Sequence, residues 1–284
     1  MSMLADGVGF GLRPGHFLDI FDQKPDAAFL EAHSENYFGG SPLRRKLLKA
    51  REDYQISLHG VGLSLGRADG LDQQHLADLK RLVDDVDPLF VSEHLSWSAY
   101  SHIAVPDLLP LPRTQESFNV FCQHVDDMQN FLGRQVLIEN PSNYLAFQEV
   151  CIPEPDFLND LAQKTGCGLL LDINNIYVSA YNLGFDPVKY VHSIDVRHVQ
   201  EFHLAGYEEA EMVNGDTVYI DTHGEAIHAP VWDLYRVALA RFGDVLTLLE
   251  WDTNLPELEV LLEEVQKVRD IKQGCLSGLQ KVAM

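Results

Sequence analysis

Asp221, His223, Glu225 and His228 crowd into one short stretch, VYIDTHGEAIH, residues 218–228. The first three recur at every second position, and in an extended chain side chains two apart lie on one face. Carboxylates and imidazoles set side by side can hold a metal ion or move a proton. Alone, Asp-x-His reads more simply as a solvated β-hairpin, and His228 as an exposed loop histidine. The balance changes because groups of the same chemistry recur at matching places. His59, the pair Glu93 and His94, Glu139, Asp172, His203 and Glu250 each close a short apolar run.

Eight such β-rich runs are present: VGFGL (8–12), AFLEAH (28–33), YQISLHG (54–60), LFVSEHL (89–95), QVLIEN (135–140), GLLLDIN (168–174), VQEFHLA (199–205) and VLTLLEW (245–251). Between them lie segments with helical periodicity. SPLRRKLLKA opens with Ser41 as N-cap and Pro42 at the first helical position. LDQQHLADLKRLVDDV, TQESFNVFCQHVDDMQNFLG, PDFLNDLAQKTG, PVWDLYRVALARFG and LPELEVLLEEVQKVRDI follow the same plan, some stopping at glycine. Near-continuous apolar strands imply a sheet covered on both faces, and eight βα units favour closure. The expectation is an α/β fold, a single TIM-type (β/α)8 barrel spanning residues 1–284 as one domain. A doubly wound open sheet is the alternative, weakened because no GxGxxG opens a helix. Residues 96–113 and 206–230 break the rhythm. Both follow strand ends, so both are expected as long loops over the C-terminal face of the barrel.

In a barrel the strand ends converge on one rim, where active sites of this fold are built. A terminal Asp or Glu often merely caps the next helix, but six chemically matched ends in register are hard to assign to capping. Glu139, Asp172 and Glu250 in one pocket repel by about 4 kcal/mol per pair at an effective dielectric near 20. The segments around these ends contain neither Lys nor Arg. A metal cation is therefore the economical counter-charge. Imidazole mixed with carboxylate suits iron, manganese or zinc. The number of donors exceeds what one ion takes, which favours two or three metals, with Glu139 or Glu250 bridging. The DTH loop would fold over the mouth and add Asp221 and His223. Adjacent strand residues point opposite ways, so His94 rather than Glu93 is expected to face the centre.

Composition narrows the function classes. Hydrophobic residues make up 46% and charged residues 23%, enough for a large core. The 43 acids and 21 bases leave a net charge of −22, whose average field repels a phosphate polyanion, so no nucleic-acid partner is expected. Cys122, Cys151, Cys167 and Cys275 form no CxxC pair and read as reduced thiols. MSMLADGVGFG has no basic-then-apolar pattern and no run suits a membrane helix, so a cytoplasmic protein without a membrane partner is expected.

With these residues in view, the chain resembles the multinuclear non-heme iron-dependent oxidative enzymes, TIM-barrel metalloproteins long known only as an uncharacterised bacterial family and typified by an oxidase of methanobactin biosynthesis. The resemblance runs through GVGFGLRPGH, EAHSENYFGG, SLHGVGLSLG, SEHLSW, LIENPSNYL, GLLLDINNIYVSAYNLG, EFHLAGY, YIDTHG, PVWDLY and LLEWDTNLPELEVLLEE, in that order. It implies an O2-dependent iron oxidase, with two or three mixed-valence irons per chain, that modifies cysteine residues of a ribosomally made precursor peptide. It implies also a partner protein that presents the peptide. The metal ligands it implies are His59, His94, His203 and His223 with Glu139, Asp172, Asn175, Asp221 and Glu250. Asn175 comes from the resemblance alone; the residues by themselves leave it in a turn. Glu35 and Asn36, in the ENY signature, and Glu93 are expected to support the ligands from behind. Two rivals remain at this point: a redox-neutral TIM-barrel metalloenzyme, sugar isomerase-like or zinc phosphodiesterase-like, holding zinc or manganese, and a scaffold whose carboxylates only cap helices.

Overall fold

A computed structural model describes residues 6–101, 103–148 and 152–282. Eight parallel strands close a barrel in chain order: β1 (Val8–Gly11), β2 (Leu30–His33), β3 (Ile56–His59), β4 (Val91–His94), β5 (Leu137–Glu139), β6 (Gly168–Asp172), β7 (Val199–Leu204) and β8 (Leu246–Leu249). Each lies within one of the eight apolar runs. The ring shuts where β1 pairs with β8, Val8 opposite Thr247 and Phe10 opposite Leu249. Helices α1 (Phe17–Gln23), α2 (Pro42–Asp53), α3 (Gln73–Val86), α4 (Gln115–Leu132), α5 (Glu154–Thr165), α6 (Ile173–Leu183), α7 (Pro187–Ser193), α8 (Ala229–Phe242) and α9 (Leu258–Val282) accompany the strands.

Local chemistry sets the helix ends. Ser41 accepts from the Arg44 amide to start α2, with Pro42 following as expected. Thr114 and Ser117 form a reciprocal capping box on α4, and Gly133 ends it at φ 71°. The main core lies between the helices and the outward strand residues, for example Phe10, Leu30, Leu58 and Phe202. A separate small cluster of Ala28, Phe29 and Leu248 fills the lower barrel. Gly9 makes room for it, since a Cβ there would stand 2.6 Å from the Phe29 carbonyl oxygen and 2.8 Å from its ring.

Three differences from expectation bear on the site. The run at 168–174 stops being a strand at Asp172, because that residue already caps α6 by accepting from the Asn175 amide at 2.6 Å. Asn175 therefore sits in the first helical turn. Helices α1, α6 and α7 were not anticipated; α1 and α7 have seven residues each, and α6 has no connecting loop before it. Each long loop carries an antiparallel hairpin, Ser96–Tyr100 with Ile103–Pro110 and Glu208–Glu211 with Thr217–Ile220. Of the cysteines, Cys122 and Cys167 are buried and free and Cys275 is free and half-buried; Cys151 lies outside the described residues. Among the described residues no helix is long and apolar enough to cross a membrane.

Candidate metal centre

Strand alternation brings the expected side chains to one place. His59, His94, Glu139, Asp172, His203 and Glu250 are all buried at the C-terminal ends of their strands. His94 turns inward as expected, and the adjacent Glu93 turns out. Glu139 is central: its Oε2 lies 3.3 Å from His59 Nε2 and 3.2 Å from His94 Nε2. Its Oε1 stands 3.8 Å from His203 Nδ1, which itself lies 3.1 Å from Glu250 Oε2. One group of potential ligand atoms, His59, His94 and Glu139, and a second, Glu139, Asp172, His203 and Glu250, each fit within 4.8 Å. They share Glu139.

The third group comes from the second long loop. The aromatic stack of Tyr219 on Tyr181, 3.6 Å between ring centroids, and two hydrogen bonds between Asn182 and the Tyr219 backbone anchor the hairpin to α6. Tyr144 Oη then accepts from the Asp221 amide at 2.9 Å, and the His223 carbonyl accepts from the Asp252 amide at 2.7 Å. His223 adopts φ 47°, so the chain is not the extended ladder its spacing suggested. The turn instead puts His223 Nε2 2.7 Å from Asp221 Oδ1, and both residues line a mouth cavity of about 200 Å³ with His59, His94 and Glu250. Asp107 and Leu108 of the first hairpin line it as well. His228 is half-buried rather than exposed, because its ring stacks on Tyr207 at 4.1 Å; it takes no place in the cluster.

Each inward imidazole is held through both ring nitrogens: in His59 and His94 one faces Glu139 and the other a neutral group, whereas in His203 and His223 both face carboxylates. His59 Nδ1 faces Ser92 Oγ at 2.7 Å, and His94 Nδ1 faces the Gly60 carbonyl at 3.1 Å. His223 Nδ1 faces Asp252 Oδ2 at 3.2 Å. This is the arrangement by which proteins orient metal-binding histidines. Asn175 turns its Nδ2 toward Glu139 Oε1 at 3.4 Å, while its Oδ1 accepts from Ser142 at 2.7 Å. A half-turn of the amide would present the oxygen instead.

Burial and crowding shape the charges. Burial, with Asp172, Glu250 and Glu31 nearby, holds Glu139 well above the carboxylate range. Burial and the neighbouring Asp221 push Asp172 up to about 7. Burial takes His94 down to about 4 and, with His94 and His203 beside it, takes His59 well below its usual value. For Glu250 burial is outweighed by His203 and His223, which hold it well below its ordinary value. Among the described residues, buried polar atoms here lack hydrogen-bond partners, Glu139 Oε2 and Asp172 Oδ2 among them. Unpartnered buried donors and acceptors cost about 1–3 kcal/mol each, so a cation among them fits the donor set.

One base does reach the site, contrary to expectation. Arg13, just beyond β1, is buried and donates to Asp252 Oδ1 at 2.6 Å, to the Glu31 carbonyl at 3.1 Å and to Glu250 Oε1 at 3.5 Å. Gly11 makes this possible, since a Cβ there would stand 2.8 Å from the guanidinium carbon. It was not anticipated because it enters from the first strand, which carries no acid or histidine at its end. One guanidinium does not balance the seven carboxylates gathered at and below the mouth, Glu31, Glu139, Asp172, Glu201, Asp221, Glu250 and Asp252, of which it touches only Glu250 and Asp252 through their side chains. His33, which lies 3.0 Å from Arg13 through its Nε2, and Asp252 were missed too. Glu31 and Glu201 had a visible signature, two Glu-x-His triplets inside otherwise apolar strands.

Glu35 and Glu93 stand behind the inward histidines. Glu35 Oε1 accepts from the Val61 and Gly62 amides and lies 3.3 Å from His75 Nε2. Glu93, pushed up to about 7 by burial and by Glu35, accepts from Leu63 at 2.9 Å and from its neighbour His94 at 3.0 Å. Together they brace the turn between His59 and His94. Asn36 is exposed and not gathered into this network among the described residues.

A closed (β/α)8 barrel with histidines and carboxylates gathered at its C-terminal mouth defines a TIM-barrel protein equipped for a metal centre. Residues 7–273 match the model of the RiPP precursor modification enzymes MbnB/TglH/ChrH, and the chain belongs to that enzyme family. It is 48% identical to a UPF0276 protein of Vibrio parahaemolyticus over 92% of this chain and 90% of that one. A UPF0276 protein of Psychromonas ingrahamii is 44% identical, with 95% of each chain covered. Among solved structures, D-psicose 3-epimerase from Clostridium cellulolyticum is similar with a TM-score of 0.59 at 12% identity, covering 95% of this chain and 99% of that one. Endonuclease IV from Thermus thermophilus gives 0.55 at 15%, with the same coverage. At such identities the likeness is one of fold.

Proposed function

We propose that this protein is a multinuclear iron-dependent oxidase that uses O2 to modify cysteine residues of a ribosomally made precursor peptide in the cytoplasm, with a separate protein presenting the peptide. One observation carries the reading: Glu139 Oε2, buried and without a hydrogen-bond partner among the described residues, faces the Nε2 atoms of both His59 and His94. Such an atom wants a cation, and the family's chemistry supplies the rest. His59, His94 and Glu139 would hold one ion, and Glu139, Asp172, His203 and Glu250 a second. Asn175, Asp221 and His223 would hold a third. Bound iron supplies one-electron chemistry with O2 and a positive centre for a thiolate.

The chain's own residues prepare that site. Ser92, the Gly60 carbonyl and Asp252 fix three imidazoles, so little reorganisation is left for the reaction. The mouth cavity of about 200 Å³ admits a side chain rather than a folded partner. Its walls, from Leu108 to Tyr144, limit water around a bound cysteine.

The test is metal content on protein purified without oxygen, followed by incubation with cysteine-bearing precursor peptides. Two or three irons per chain, fewer in Glu139→Ala and Asp221→Ala, and O2 uptake with a peptide mass change support the reading. Zinc or manganese alone, with no O2 uptake, would replace it with a redox-neutral metalloenzyme.

A further inference from the structure

Inward residues continue below the cluster. Glu31 lies two positions before His33 on β2, and Glu201 two positions before His203 on β7. Both are fully buried, and none of their four carboxylate oxygens has a hydrogen-bond partner among the described residues. Glu31 Oε2 stands 3.2 Å from His203 Nε2, and Glu31, Glu201 and His203 fit within 4.8 Å of one another. The Glu31–His203 approach is within hydrogen-bond reach.

His203 is the inverted member of the set. His59 and His94 turn Nε2 to Glu139, whereas His203 turns Nδ1 to Glu139 and Glu250. It has no exposed surface, and its remaining nitrogen faces Glu31 Oε2. A neutral imidazole carries its proton on one nitrogen only, and the lone pair on the other is what a metal needs.

We propose that Glu31, backed by Glu201, is a positioning residue that keeps the His203 proton on Nε2 and so leaves Nδ1 free to face the metal centre. The inference rests on the metal-centre reading given above and adds to it the residue that decides which nitrogen of His203 serves. Orienting carboxylates of this kind change metal affinity by roughly 10- to 100-fold when removed.

The experiment uses the full chain with 15N-labelled histidine, metal-free and zinc-loaded, with long-range proton–nitrogen spectra reporting each ring's tautomer. His203 is identified by its loss in His203→Gln. The expected result is a protonated Nε2 on His203 in the zinc-loaded state, with Nδ1 unprotonated and perturbed by zinc, the metal-free spectrum serving as the reference. Glu31→Leu should lose that tautomer preference and weaken zinc binding at the second ion position by roughly 10- to 100-fold, with the His59 and His94 signals unmoved. Glu31→Gln, which keeps an acceptor oxygen, should retain the tautomer. An unprotonated His203 Nε2 in the zinc-loaded parent chain would overturn the proposal, and so would a Glu31→Leu chain that binds zinc within about twofold of parent with an unchanged His203 spectrum. If Glu31→Leu does not fold, the parent and Glu31→Gln spectra decide. Neither spectrum depends on iron or peptide, so a failed peptide oxidation counts against the proposed function and leaves this result to stand separately.

Discussion

Replacing Arg13 by methionine tests the electrostatic account most directly. The guanidinium is buried against Glu250 and Asp252, whose side chains are 3% and 21% exposed. Removing one partner of a buried ion pair costs about 3–5 kcal/mol, because the other charge is left uncompensated. His203 and His223 also lie against Glu250, at 3.1 and 3.4 Å, and share the burden. The lower figure, about 3 kcal/mol, is therefore expected. For a chain of this size each kcal/mol moves the melting temperature by roughly 2–4 °C, so metal-free Arg13→Met should melt roughly 6–12 °C below the parent. A cation bound beside Glu250 supplies the missing positive charge. Under saturating zinc the gap should close by about half or more. Thermal unfolding of both proteins, with and without zinc, reads the two differences. A metal-free gap below about 2 °C would refute the buried-pair reasoning, and a gap that zinc leaves unchanged would refute the idea that metal and arginine serve the same carboxylates.

Asn174→Leu removes the Nδ2 donor that holds Asp221 Oδ1 at 2.7 Å; metal analysis should find the Asp221–His223 position weakened by roughly tenfold and the His59–His94–Glu139 position intact. Asp172, at about 7 in the metal-free chain, must give up its proton to bind a cation. Zinc affinity should therefore weaken as the pH falls through about 7, with proton release seen by calorimetry in buffers of different ionisation enthalpy. An affinity flat from about pH 6 to 8 would contradict this. Gly11→Ala puts a methyl group 2.8 Å from the Arg13 guanidinium carbon, and chemical denaturation should show a loss of about 1–3 kcal/mol.

The barrel was legible because its strands are buried on both faces, which turns each into an apolar run that alternation cannot disguise. The clustering of strand-end histidines and carboxylates was legible for the same reason: a histidine or carboxylate closing such a run has only the rim to go to. Arg13 was not, because its partner Asp252 stands 239 positions away and only barrel closure makes them neighbours. Helix α6 was hidden by Asp172, which ends a strand and caps a helix at once. Glu31 and Glu201 were in plain view but lay one layer below the rim on which attention rested.

The seam between β1 and β8 joins Val8 to Thr247. Closing a loop of that length costs roughly 5 kcal/mol of chain entropy before any contact repays it, and such distant pairings form late. The strands bearing His59, His94 and Glu139 are consecutive, β3 to β5, and pair with one another without the seam. Those bearing His203 and Glu250 are the last two, and Arg13 meets Asp252 only when the ring is shut. The order of assembly is thus written into the order of the chain: both ion positions can exist on an open sheet, since β5 to β8 also pair in turn, whereas the contacts of Arg13 with Asp252 and Glu250 wait for closure. Arg13 would then act as a clasp, its bonds to Asp252 and Glu250 slowing the reopening of the ring.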